Sequence, residues 1–391
     1  SIDFKLQKIK LHNLDIHKKD EGQNTDLETF IYEADGGFNI DNEVISGHID
    51  TKFEMNVLYN GDTTYIKHKH FDLHTDVSLN KDTGLLTIEP SRVTMEHGDF
   101  DLEGKIDTKN DIDLDLVIKG AKPNFDMLIA FAPEDLIPVL ERYKNAGKIY
   151  FNAVVKGPTL NQQVPFFDVN FGVSEAFLEN TNKGKRVKNI GFKGHFTNGN
   201  ERSSRTTTFS LEDMTAKLGK GKILGNVVIN NFDEPEIDMR LNADFNLEFV
   251  TDFLNLSEVD IASGNVSLKM NFHDIIDIDN PEQALSKLNQ AYYGELKIDE
   301  LSLSSKDLPA PLKKLNAHVV MNGKKAKINQ FDMLLGKSDI SITGYVSDLP
   351  AIVHHTDTLA VTHLDIKSKL LDIAELTKFS ATDSIKTGID E

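Results

Sequence analysis

Three stretches of this chain, about 120 residues apart, carry one pattern. A repeat of that length constrains the fold more than any other feature of the sequence. The stretches are His97-Gly98-Asp99-Phe100-Asp101-Leu102-Glu103-Gly104, Leu218-Gly219-Lys220-Gly221-Lys222-Ile223-Leu224-Gly225 and Lys337-Ser338-Asp339-Ile340-Ser341-Ile342-Thr343-Gly344. Aligned on the last glycine, they are separated by 121 and 119 residues. Upstream of each lies an alternating stretch that ends in a turn signal: 71–79 before Asp82-Thr83-Gly84, 190–196 before Asn198-Gly199, and 315–321 before Asn322-Gly323. Asn-Gly between alternating segments marks a hairpin. Downstream comes a second alternating strand, through Ile112, Leu114, Leu116 and Ile118 in one copy and Ile237, Met239 and Leu241 in the next.

An apolar, helix-compatible stretch follows each copy, at 125–140, 245–256 and 370–379. The first two copies then restart with a glycine and a strand at 147–155 and 264–272, and the third would restart near residue 384. Residues 47–57 read as the same restart of an earlier unit. Short helices are expected over 123–145 and 281–293.

Alternation with a period of two gives each strand one apolar and one wet face. The expected fold is therefore mainly β with a few short helices. Repetition favours an elongated antiparallel repeat sheet of about 22 strands that curls into a trough. The alternative is a large β-sandwich. The expected organisation is one continuous β-repeat array over 1–391. Its approximate units are 1–146 (with a partial preceding unit to about residue 60), 147–263 and a truncated 264–391.

Charge narrows the partners. With 43 Lys and Arg against 62 Asp and Glu, the formal net charge is −19, which disfavours nucleic acid and anionic headgroups over most of the surface. The absence of cysteine removes disulfides, thiolate nucleophiles and thiolate metal sites. No run of about 18 apolar residues occurs, and residues 1–10 lack the apolar segment of a signal peptide. The chain is read as a piece of a longer protein whose targeting or anchoring segment lies elsewhere.

Motifs with chemical meaning all have plainer readings. Gly219-x-Gly221-x-x-x-Gly225 departs from the dinucleotide-binding spacing and recurs as strand elsewhere. Leu335-Gly336-Lys337-Ser338 lacks the upstream glycine of a phosphate loop, since Phe331 stands there. His68, His70 and His74 fall on one strand face, where three imidazoles could hold a transition metal. Lys67 and Lys69 flank them, and no carboxylate pattern supports them in sequence, so a solvated face is expected. His354-His355 sits beside Pro350 in an expected loop. Asp111, Asp113 and Asp115 lack the glycine and glutamate of a calcium loop and read as a wet strand face. Asp274, Asp277 and Asp279 are similar, with a loose cation site the minor alternative. No Gly-x-Ser-x-Gly elbow, no His-Glu-x-x-His and no recurring acid pair occurs. The expectation is a protein that is not an enzyme and uses no cofactor or metal.

Gly219–Val227, the alternating strand from Pro235 to Leu241 and the Leu371-Asp372-Ile373-Ala374-Glu375-Leu376 helix start together resemble the AsmA-like family of Gram-negative envelope proteins. That family is related to TamB and to bridge-like lipid transfer proteins. Lys8-Ile9-Lys10-Leu11 and the stretch from Gly36-Gly37-Phe38 to Lys52-Phe53 are consistent with it. The resemblance implies that the trough is a hydrophobic groove of the β-taco kind. It places this groove in the periplasm behind an inner-membrane anchor, shielding phospholipid acyl chains in transit between the membranes. It also implies a partner at the outer membrane and no nucleic acid. An older association of the family with outer-membrane protein assembly leaves a scaffold or chaperone-like role as the second reading. No catalytic residue is carried over.

The candidate groove residues are Phe100, Leu102, Leu114, Leu116, Ile223, Val227, Ile237, Met239, Leu241, Leu268, Met270, Ile340 and Ile342. Taken alone, these residues fit an ordinary sandwich core. The resemblance turns them into the wall of a groove, where each buried methylene gains about 0.8 kcal/mol.

Overall fold

The structure is a computed structural model of the 391-residue chain. It describes residues 4–376 except 21–24, 42, 60–61, 64–66, 123, 133–136, 162, 257–258, 276–292, 306–307 and 349–358. The chain is mainly β, in an antiparallel sheet that does not close. Contacts divide it into two units, 1–176 with 193–209 and 177–192 with 210–391.

The first unit opens with three long strands, β1 (Phe4–Asp20), β2 (Thr25–Asp41) and β3 (Val44–Tyr59). A two-residue β4 (Asp62–Thr63) follows, then β5 (Lys69–Asn80), β6 (Leu85–Met95), β7 (Gly98–Asp107), β8 (Asp113–Lys122) and β9 (Tyr143–Pro158). Helices α1 (Asp126–Ala130) and α2 (Ile137–Leu140) lie between β8 and β9. Apart from the short β4, which pairs with the end of β3, each strand pairs antiparallel with the next. The hairpin of β10 (Phe166–Asn180) and β11 (Lys185–Thr197) contributes to both units, and β12 (Thr208–Leu218) falls mostly in the second.

The second unit continues with β13 (Gly221–Asn230), β14 (Glu236–Asn246), α3 (Leu247–Leu254), β15 (Val259–Ile275) and β16 (Tyr293–Ser305). It ends with β17 (Leu312–Asn322), β18 (Lys325–Leu335), β19 (Ser338–Val346), β20 (Thr362–Lys367) and α4 (Ile373–Leu376). From β13 to β20 every consecutive pair is antiparallel.

Among the described residues a helix follows β8, β14 and β20, at intervals of six strands. The three repeat glycines lie in β7, β13 and β19 and face Leu116, Leu241 and Leu364 respectively. Gly104 and Gly344 also face isoleucines on the preceding strand, Ile88 and Ile328. Both have φ values closed to side chains, +154° and +141°. A Cβ there would strike the carbonyl oxygen of Asp115 or His363, so only glycine fits. Gly225 departs from this pattern. It lies six residues after its left-handed turn residue, Gly219, whereas Gly104 and Gly344 lie eight after Glu96 and Gly336.

The helical stretches are shorter than their hydrophobicity suggests. Residues 125–140 hold two short helices, and Tyr143 already begins β9. Pro133 disfavours helix at Ala132, and Pro138 stands where a second helix can start. The helix expected at 281–293 lies outside the described residues, apart from Tyr293, which begins β16. Asp111 belongs to a turn with φ +51°, and β8 starts only at Asp113.

Candidate functional site

Residues directly opposed in an antiparallel ladder share a face, so the registers reveal what each face carries. In the first unit, Leu6, Phe38, Gly47 and Val77 on β1, β2, β3 and β5 continue into Ile88, Gly104, Leu116 and Val155 on β6 to β9. One row further along, Ile40, Ile45, Leu79 and Leu86 lead into Ile106 and Leu114. The second unit repeats the arrangement. Ile223, Ala243, Leu268 and Leu296 continue into Val319, Ile328, Gly344 and Leu364, one from each strand of β13 to β20.

The thirteen candidate residues all lie on these apolar faces. Phe100, Leu102, Leu114 and Leu116 belong to the first unit. Ile223, Val227, Ile237, Met239, Leu241, Leu268, Met270, Ile340 and Ile342 belong to the second. Val227 faces Met239, Leu241 faces Met270, and Ile342 faces Ile366. Twelve of the thirteen are half-buried, and only Phe100, at 5% exposure, is enclosed. A sandwich core encloses its leucines and isoleucines. Here half of the enclosed apolar residues described in the second unit are alanines, Ala243, Ala310, Ala317 and Ala326.

Phe100 is enclosed because α1 lies over it. Phe100, Phe131 and Phe151 form a triangle of rings with centroids 5.4–5.9 Å apart. Met127, fully buried, rests on Gly120, where a Cβ would come within 2.5 Å of its sulfur. Phe100 and Gly120 are opposed across β7 and β8, since their neighbours Asp101 and Lys119 pair. The matching position in the second unit pairs Gly221 with Phe245, with ring and glycine on exchanged strands. There α3 buries none of its residues, although Asn246 caps it by accepting from the Phe249 N–H at 3.2 Å. A hollow of about 570 Å³, lined in part by Gly221, Phe245 and Phe249, remains beside it. At the third position the segment entering α4 is tied to the start of β19. The Leu370 and Lys369 N–H groups donate to Asp339, and the Asp372 N–H donates to the fully buried Ser338 hydroxyl.

The opposite face carries charge. Lys156 pairs with Asp115 at 3.2 Å and Lys52 with Glu33 at 2.8 Å, while Asp113, Asp115 and Arg240 are exposed. Asp238 lies 3.6 Å from His273, and the half-buried Ser341 donates to Asp332. His68, His70 and His74 stand on this face too, with carboxylates that the local sequence does not show. Glu54 on β3 meets His68 at 2.6 Å, Glu96 meets His70 at 3.2 Å, and Asp50 meets His74 at 2.7 Å. The Tyr32 hydroxyl, then His68, holds the Glu54 carboxyl below its usual range. Among the described residues no group of three such side chains is placed to hold a metal ion. Asp274, Asp277, Asp279, His354 and His355 offer no described side chain. Gly219, Gly221 and Gly225 belong to a turn and to β13, and Leu335-Gly336-Lys337-Ser338 spans the turn into β19.

No family model, no curated protein and no solved structure matches this chain. Among the described residues no helix is long and apolar enough to cross a membrane.

Sequence reading missed the α1 seat and Lys69. The seat depends on Gly120 facing Phe100, which register alone reveals. Lys69 was legible by parity: with His68 and His70 on the wet face, the residue between them must be on the apolar one.

Proposed function

We propose that this chain is part of an AsmA-like periplasmic protein whose apolar sheet face binds phospholipid acyl chains and conducts them between the inner and outer membranes. On this reading the full-length protein is anchored in the inner membrane, meets a partner at the outer membrane and catalyses no reaction. One observation carries it: in each unit a row of apolar residues and glycines runs beside a charged opposite face, and apart from the enclosed Ala243 and the exposed Leu364 its members are half-buried. An alkyl chain laid on such a row removes both surfaces from water, at about 25 cal/mol per Å².

The test pairs two measurements on Leu241→Asp. An unliganded open face can hydrate the new carboxylate, so the thermal midpoint of the delipidated variant should stay near that of the wild type. Uptake of a fluorescent phospholipid should be lost, because a chain beside a dry carboxylate meets a cost of several kcal/mol. Collapse of the midpoint would show a closed core and remove the basis of the lipid reading. Organic extraction of the purified chain should also yield stoichiometric phospholipid. A lipid-free chain that instead protects unfolded β-barrel clients would favour a scaffold role in outer-membrane protein assembly.

A further inference from the structure

We infer that α3 is a strap that clasps one acyl chain of a bound phospholipid in the hollow beside it, an assignment that rests on the lipid reading above. Five of its eight residues, Leu247, Phe249, Val250, Phe253 and Leu254, are apolar. A helix this short draws its stability from what it packs on, yet none of its residues is enclosed. It is tied by polar contacts at its two ends. At the start, the Asn246 side chain accepts from the Phe249 N–H and donates 3.1 Å to the carbonyl of Gly264 on β15. At the far end the buried Asn180, which closes β10, donates to the carbonyls of Asp252 and Phe253 at 3.3 and 2.9 Å. Lys185, which opens β11, pairs with the Asp252 carboxylate at 3.1 Å. All these residues belong to the second unit.

The hollow of about 570 Å³ is lined by a member of each tie, Asn246 and Lys185, so it follows α3 from one end to the other. Its volume falls in the ~300–1,000 Å³ range of ligand sites. Leu218, Phe245, Phe249 and Val266 supply its apolar lining. Phe245 faces Val266 and Val266 faces Ile298, a row directly beside Ala243, Leu268 and Leu296 of the apolar face. A chain lying on that face therefore reaches the hollow without crossing polar ground. Charge selects no other occupant, because two lysines, Lys185 and Lys220, are balanced by two aspartates, Asp244 and Asp299. Both aspartates alternate with Phe245 and Ile298 along their strands and turn to the opposite face. In the first unit the matching position is closed from within, by the fully buried Met127 on Gly120. An alkyl chain shares the unbranched, adaptable shape of that side chain, and it fills from outside what α3 leaves open.

The chain contains no tryptophan, so Phe249→Trp puts a single indole in the hollow. Leu254→Trp puts one at the exposed end of α3, outside the lining, and Val266→Trp repeats the reading from the sheet side should Phe249→Trp not fold. The probe is a phosphatidylcholine brominated midway along one acyl chain, with the unbrominated lipid as reference. It is loaded from vesicles that are then removed. Bromine in contact quenches indole, so loaded Phe249→Trp should lose most of its emission while Leu254→Trp changes little. Asn180→Ala frees the far end of α3 and should release the lipid about fivefold faster, the loss of roughly one hydrogen bond. Stoichiometric lipid with an unquenched indole in the hollow would place the chain elsewhere on the face and overturn this inference alone. Equal quenching at both ends of α3 would carry the chain over the outside of the helix and overturn it too. Unchanged release from Asn180→Ala would mean that α3 clasps nothing. Retention of oleate in place of the phospholipid, when both are offered, would give the hollow to a free fatty acid and overturn the assignment. A wild type that retains no lipid defeats it together with the lipid reading.

Discussion

The seats of α1 and α3 are built on the same cross-strand position and end differently. In the first unit the ring is on β7 and the glycine on β8, the strand that leads into the helix. The helix drops onto that glycine, and Met127, Ile129 and Ala130 become buried. In the second unit Phe245 occupies the strand that leads into α3, and no residue of the helix is buried. Leu254 and Leu256 beyond it remain 49% and 46% exposed. Enclosure on the apolar face is thus decided by which strand carries the bulk. It is not a general property of the helices. Most of the apolar row residues elsewhere stay half-buried.

Four measurements break or sharpen this contrast. Phe100→Ala should cost about 3–5 kcal/mol, the range for removing an enclosed ring. Phe245→Ala should cost less than about 2 kcal/mol, because its ring is only half-buried. Equal losses in denaturant unfolding would erase the distinction between the seats. Gly120→Val should cost about 1–3 kcal/mol by overpacking, and hydrogen exchange of residues 126–131 should accelerate as α1 lifts from Met127's place. Unchanged exchange there would mean the helix is held by something other than the glycine. On an open row, Leu116→Ala should cost only about 1 kcal/mol, since half of the side chain's transfer energy was never gained. A loss near that of Phe100 would mean the row is sealed.

The smallest effect concerns acid. Asp99 and Asp339 hold matching places as the second residues of β7 and β19. Asp99 is held below the usual carboxylate range by hydrogen bonds from Lys122 and then Thr94. The Leu370 and Lys369 backbone N–H groups do the same for Asp339. With depressed pKa values, both contribute stability that is present above the unfolded carboxylate pKa near ~3.9 and lost as pH falls through the folded value. Asp99→Asn should therefore flatten the acid limb of stability by less than about 1 kcal/mol, and high salt should mimic it by screening Lys122. Asp339→Asn should flatten the limb in a way that salt does not reproduce, because its main partners are backbone dipoles. Identical salt responses in acid denaturation would remove that difference.

Much of the fold was legible because alternation and turn glycines are local signals. Leu114 and Leu116 announce a strand and its face by themselves, although Ile112, read as part of that strand, falls in the turn before it with φ +49°, and Gly104 and Gly344 mark positions that only glycine fills. What remained hidden depends on register. Nothing near Gly120 says that it faces Phe100, and nothing near His70 says that Glu54 and Glu96 will meet it from neighbouring strands. The His68–His74 segment therefore reads as carboxylate-poor in sequence and is acid-lined in space. Helix length was overread for a related reason. Hydrophobicity over 125–140 reports what must be covered, while Pro133 and Pro138 decide how far a helix can run.

The spacing of α3 and α4 within the second unit has a consequence for how such a chain can change in length. Among the described residues six strands separate the two helices, and six is even. In an antiparallel ladder an even count returns the chain to the end of the strands from which it set out. Gain or loss of a whole period by duplication or deletion therefore keeps every later helix at its own rim and every later apolar residue on its own face. Gain or loss of a single strand would move the helix to the opposite rim, and a one-residue slip would turn the following rows toward water. A period of about 120 residues is one such even step, and a single added hairpin is the smallest.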